Sequence, residues 1–192
     1  MDRKTAVPAY RRSIDLVSVW EPGERLRVTG RLHDTLPTGP DGVEDVHQMS
    51  LSLVVELPDL VVVEATADMD KFPHAECPLI TNAVTGLVGM PVGKGFTREL
   101  NRRFGGPAGC SHLKEIARNI APVVVQSMLS TGAPRRGEPD GVPAVHGLPI
   151  GSCHIWQENG VAVRKLQAGW VPGSVERPVL KLSHFTRNRQ DL

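Results

Sequence analysis

Aromatic residues are scarce in this chain: 192 residues hold three tryptophans, one tyrosine and four phenylalanines. That is too few to expect a stacking platform for bases. An excess of charge is missing as well, because 22 basic residues stand against 21 acidic ones and leave a formal net charge of +1. Nucleic acid is therefore not an expected partner. No apolar run reaches the roughly 18 residues that span a bilayer, so no membrane partner is expected. The opening MDRKTAVPAYRRSIDLV is basic but lacks the apolar stretch of a secretory signal, and the expectation is a cytoplasmic protein. A paired Cys-x-x-Cys is absent. Three cysteines, at 77, 110 and 153, cannot all pair within one chain, which favours free thiols or ligands over a disulfide framework. Internal repeats are lacking too. Gly93-Lys94-Gly95 lacks the spacing of a phosphate-binding loop, and Ser111 lacks the setting of a nucleophile elbow.

What is present is a globular composition, 40% hydrophobic and 22% charged, with sixteen prolines and nineteen glycines that call for extensive loops. Residues 1–12 read as a mobile arm. Ser13 to Trp20 alternates like a strand, and so does Arg25 to Thr35. In the second, Leu26, Val28 and Leu32 share one face, and Arg25, Arg27 and Arg31 the opposite, solvated one. His47 to Glu56 and Leu60 to Met69 read as a hairpin turning at Pro58-Asp59. Pro78 suits the first turn of a helix reaching Gly89. Phe96 to Phe104 has a short helical pattern whose Arg98, Arg102 and Arg103 read as a solvated face rather than an anion patch.

From Gly105 to Leu129 a glycine-rich approach leads into a long amphipathic helix, with Leu113, Ile116, Ala117, Ile120, Val123, Val124 and Met128 at buried-face spacing. Ser111 is its expected cap. Pro122 should kink or split it. Beyond it, STGAPRRGEPDGVPAVHG reads as a flexible or extended connection, and strand-like pieces follow around Ile155, Val161–Leu166 and Val179–Leu182. The predicted organisation is an α+β core over 13–132, an antiparallel sheet packed against helices. A linker over 133–147 and an irregular C-terminal extension over 148–192 follow.

Chemistry concentrates at element ends: His47 where the third strand begins, Cys77 before a helix, and Cys110 with His112 at the start of the long helix. Cys153 and His154 make a second thiol–imidazole pair. Thiolate and imidazole suit zinc or iron, and three protein ligands with one open position is a common catalytic arrangement. Helix starts favour thiolate, so nucleophilic cysteine catalysis with His112 as base, oriented by Asp68, Asp70 or Glu76, is the rival chemistry. Against both stands burial of cysteine as a small hydrophobe. His33, His146 and His184 read as ordinary surface histidines.

Two resemblances meet at these residues. The series Arg31-Leu32-His33-Asp34-Thr35, Val46-His47-Gln48-Met49, Cys77, the Gly105–Leu113 stretch and Cys153-His154 resembles the bacterial domain-of-unknown-function family 2889. That likeness brings no activity with it. The hairpin, the cysteine opening one helix and Cys-Ser-x-Leu opening a long one resemble NifU-type iron–sulphur scaffolds, where three cysteines bind zinc or a cluster. By that likeness Cys77 and Cys110 match the second and third cysteines, and His47 stands in place of the first. Met49 replaces that family's aspartate and Gly109 its histidine, departures that favour a mononuclear site over a cluster.

The resulting expectation is a NifU/SUF-scaffold-like α+β protein with a zinc or iron ion on His47, Cys77, Cys110 and His112. His112, Asp70 and Glu76 are the expected catalytic groups. It would be a metal-dependent enzyme, of hydrolase or lyase type, acting on a small-molecule substrate, the metal serving as Lewis acid or water activator. The alternatives are a metal or iron–sulphur carrier that docks on partners, and a non-catalytic subunit with structural cysteines. A homo-oligomer is compatible with each.

Overall fold

The computed structural model describes residues 9–38, 42–131, 150–151 and 153–169. The chain divides into two compact units, Met1–His146 and Gly147–Leu192.

The first unit is built on a four-stranded antiparallel meander, β1 (Arg11–Glu21), β2 (Arg25–Pro37), β3 (Val43–Glu56) and β4 (Val61–Lys71), in the order β1-β2-β3-β4. Each strand pairs with its sequence neighbour because the connecting turns are short. The alternation read from the sequence sets which side is buried. Leu26, Val28 and Leu32 of β2, and Met49, Leu51, Leu53 and Val55 of β3, are all nearly or fully buried. On the opposite face Arg25 pairs with Glu56 at 3.2 Å and Arg27 with Glu64 at 3.1 Å, so the arginines are the solvated side that the pleat implied. β1 begins at Arg11, inside the stretch read as an arm. Its pairing with β2 starts there, with Arg11 opposite Thr35 and Arg12 opposite Asp34.

The helical elements cover the apolar face. A 3-10 helix (Cys77–Leu87) and α1 (Phe96–Phe104) lead to a 3-10 turn (Gly106–Ala108) and then to α2 (Ser111–Thr131). Leu113, Ile116, Ala117, Ile120, Val124 and Met128 of α2 lie in the core, each large one contributing about 1.5–3 kcal/mol by leaving water. Gly30 is the reason α2 can approach so closely: a Cβ there would overlap Ile116 Cγ2. Pro122 neither splits nor ends the helix, which is continuous through it. Its ring is on the exposed side, and buried Ile120 and Val124 anchor the helix on both flanks.

Cys110, and not Ser111, takes the cap position, because its carbonyl accepts the first helical bond from the Lys114 N–H at 2.9 Å. Gly109, immediately before it, packs against Phe104, whose carbonyl oxygen a Cβ would overlap. The chain thus turns tightly from α1 into α2 and carries Cys110 and His112 to the end of the sheet.

In the second unit the expected strand at Val161–Leu166 is instead a short helix, α3 (Val161–Gln167), with Arg164 and Lys165 in its last turn, where cations suit the carbonyl end. Residues around Ile155 form turns. The piece at Val179–Leu182, the stretch 132–149 and His184 lie outside the described residues.

Candidate metal centre

Three strands and one helix meet at the end of the sheet where β2 approaches the β2–β3 connection. Arg12 of β1, Asp34 of β2 and His47 of β3 form a cross-strand row, with Arg12 opposite Asp34 and Asp34 opposite His47. Their parity is that of the buried face: Asp34 follows Leu32 by two residues, and His47 precedes Met49 by two. The register shifts next to this row, between Asp34 and Thr35. Bulges of that kind commonly re-aim side chains beside functional sites. His112, one residue into α2, reaches the row from above.

Asp34 is the centre of the group and its side chain is fully buried. Arg12 grips it with two bonds, Nε to Oδ1 at 2.7 Å and Nη2 to Oδ2 at 2.8 Å. His47 Nδ1 lies 3.0 Å from Oδ2, and His112 Nε2 lies 3.7 Å from the same oxygen. The two imidazoles pack together with ring centroids 3.9 Å apart and planes at 34°. Cys110 Sγ is 3.8 Å from His112 Nδ1, on the far side of that ring from Asp34.

Electrostatics favour the ligating forms of Asp34 and His112. Burial alone would raise the Asp34 pKa, but hydrogen bonds from Arg12 and Tyr10 and the nearby cationic charge outweigh it and lower it to about 2. Arg12 is raised in turn, chiefly by its bond to Asp34. His112 is lowered, first by burial and then by His47 and Arg12, with Asp34 opposing, so its neutral form is favoured. Tyr10, at the rim, is raised by burial and by Asp34. A carboxylate and a neutral imidazole are the forms that bind a metal.

Among the described residues, Asp34, His47 and His112 are the one group of three with potential ligand atoms all within 4.8 Å of one another. A tetrahedral ion with bonds of about 2.1 Å separates its ligands by roughly 3.4 Å; the 3.7 Å between His112 and Asp34 is near that value, and the 3.0 Å between His47 and Asp34 is a direct hydrogen bond. Two histidines and one carboxylate form a ligand set known for both zinc and non-haem iron.

The fold therefore brings together two of the four expected ligands, His47 and His112, and sets Cys110 beside them. Cys77 is half-buried at the start of the 3-10 helix and is not in the group. Asp70 and Glu76 are exposed, at the end of β4 and just before that helix, and neither joins it. Cys153 is exposed in the second unit, where His154 Nδ1 lies 3.3 Å from Gln157 Nε2. His33 pairs with Asp45 at 2.6 Å on the solvated side. The residues missed are Asp34 and Arg12. Their signal was parity: an acid in phase with Leu26, Val28 and Leu32, and a base in phase with Ile14 and Leu16, occupy buried-face positions that demand partners.

No curated protein and no solved structure matches the chain, so neither supports the NifU-type likeness. A family model does match, over residues 10–126, a span that takes in β1 through most of α2 and every residue of the group. The chain belongs to the family described as "Protein of unknown function (DUF2889)".

Proposed function

We propose that this protein is a metal-dependent enzyme acting on a small-molecule substrate, with zinc or iron held by Asp34, His47 and His112. The observation that carries this reading is the convergence of two imidazole nitrogens, one from a strand and one from a helix, on one buried carboxylate. The bound ion would supply Lewis acidity or an activated water. Arg12 keeps Asp34 ionised and fixes its orientation through the two-pronged grip. Cys110 stands behind His112, where a thiol partner on Nδ1 leaves Nε2 to face the ion, the usual arrangement of an outer partner on a ligating histidine. Plasma mass spectrometry on protein purified without chelators tests the reading. About one zinc or iron per chain is expected, lost in His47→Ala and His112→Ala with the far-ultraviolet circular dichroism unchanged. Well-folded wild-type protein without metal would sink it.

A second reading has its own observation. Cys110 Sγ, the His112 ring and Asp34 stand in series, at 3.8 and 3.7 Å, as a thiol, a base and an orienting carboxylate do in cysteine nucleophiles. There the sulphur would add to a carbonyl carbon of the substrate, the C=O π pair moving onto oxygen, while the thiol proton passes to His112. Rapid alkylation of Cys110 in metal-free protein, slowed in His112→Ala, would favour it. The carrier reading, with its NifU-like scaffold fold and Cys77 and Cys110 as ligands, predicts a cluster absorption band after anaerobic reconstitution. A non-catalytic subunit predicts slow labelling of native Cys110.

A further inference from the structure

β1 is an edge strand. It pairs with β2 along its whole length without a register shift, and among the described residues no backbone bond from another element reaches it. Every second residue therefore turns an N–H and a C=O outward. Edges of this kind are usually blunted by charged side chains, above all lysine, by proline or by a bulge; β1 (RRSIDLVSVWE) has no lysine, proline or bulge, and of its charges only Asp15 lies away from the strand's ends. Instead it exposes Val17 at 55%, Val19 at 56% and Trp20 at 38%.

We propose that β1 pairs antiparallel with β1 of a second copy of this chain, about a two-fold axis through Leu16, so that the two sheets become one. The strand's own sequence selects the second copy and the register. With Leu16 opposite itself all of β1 is used, and Arg11 at one end meets the partner's Glu21 at the other, twice over. Arg11 has no ion-pair partner among the described residues, whereas Arg12 is committed to Asp34, so Arg11 is the guanidinium left for this contact; Glu21 already accepts from Arg27 of β2 and would take Arg11 as a second guanidinium. Val17 stands opposite the partner's Asp15 and diagonal to the partner's Val17, within reach of an apolar contact across the axis. A two-fold through Asp15 would set two carboxylates opposite each other, which is destabilising. One through Val17 would carry Arg11 and Arg12 past the end of the partner strand. The Leu16 register also keeps both helical layers on the same side. It sets the partner's Trp20 opposite Arg12, so an indole flanks the guanidinium that holds Asp34.

Sedimentation velocity and hydrogen exchange on the full chain test this. Wild type is expected to run at twice the chain mass, and Val17→Asp, which sets a carboxylate directly opposite the partner's Asp15 on both sides of the axis, at the chain mass with unchanged circular dichroism. Arg11→Glu should weaken the dimer at least about tenfold, and adding Glu21→Arg should restore it, because the pair is rebuilt in reverse. A wild type that stays monomeric up to about 100 µM overturns the proposal. So does a dimer indifferent to Val17→Asp. Single charge reversals without rescue overturn the register. A monomer whose β1 amides resist exchange would mean that the chain covers its own edge, and would also overturn it.

Discussion

Asp34 is an acid in a place where strand alternation buries the side chain, and its neighbours make that tenable. Arg12 supplies two charge-assisted bonds, and the lowered pKa, about 2 against an ordinary 3.8, states the result as a proton equilibrium. Because the folded value lies below the unfolded one, the interaction stabilises the fold above pH ~4 and is lost as pH falls toward 2. At about 1.4 kcal/mol per pK unit the contribution is about 2 kcal/mol. Urea unfolding of metal-free protein from roughly pH 6 to pH 2 should show wild type losing about that much more than Asp34→Asn. Equal slopes for the two would contradict the pairing. Cys110 permits a second test at this scale. As an outer partner of His112, its change to serine should weaken metal binding about 10–100-fold and not abolish it. Competition with a chelator of known affinity reads the difference, and complete loss would make Cys110 a ligand.

The elements that carry the site depend on close approach more than on propensity. Gly30 admits Ile116, and so brings α2 and His112 down onto β2. Gly30→Ala should cost about 1–3 kcal/mol by overpacking. It should also lower metal occupancy, because the helix that presents His112 must shift. Chemical denaturation and metal analysis on the same preparation check both, and full occupancy with lost stability would separate the helix position from the site. Pro122 offers the opposite test. It interrupts the backbone ladder of α2 on an exposed face, so Pro122→Ala should stabilise by about 1–3 kcal/mol and leave the metal unchanged. Both strand pairs and the Phe96–Phe104 helix were legible in the sequence, because period-two and period-3.6 patterns follow from local geometry. Pro122 does not split the helix because tertiary anchors at Ile120 and Val124 override a local penalty. Val161–Gln167 was misread because a seven-residue apolar-rich segment is too short for its period to decide.

At the scale of the whole molecule, the core cluster runs from Leu26 to Met128, entirely within the first unit. A fragment ending at His146 should therefore unfold cooperatively and hold the same metal as the full chain; calorimetry and metal analysis would show it, and an unfolded or metal-free fragment would refute it. Two of the candidate ligands, His47 and His112, were visible in the sequence because imidazoles at element ends stand out. Asp34 and Arg12 were not selected, since a lone acid on a strand and a base in an apparent arm carry no local mark beyond parity. The sequence by itself determined the α+β class, the alternation that makes one sheet face apolar, and the helix that covers it, since each depends on spacing along the chain. Only the tertiary structure decided that Asp34 and not Cys77 joins the two histidines. That choice rests on the strand register, which sets Arg12, Asp34 and His47 in one row, and on the close seat of α2 over Gly30, which delivers His112 to it.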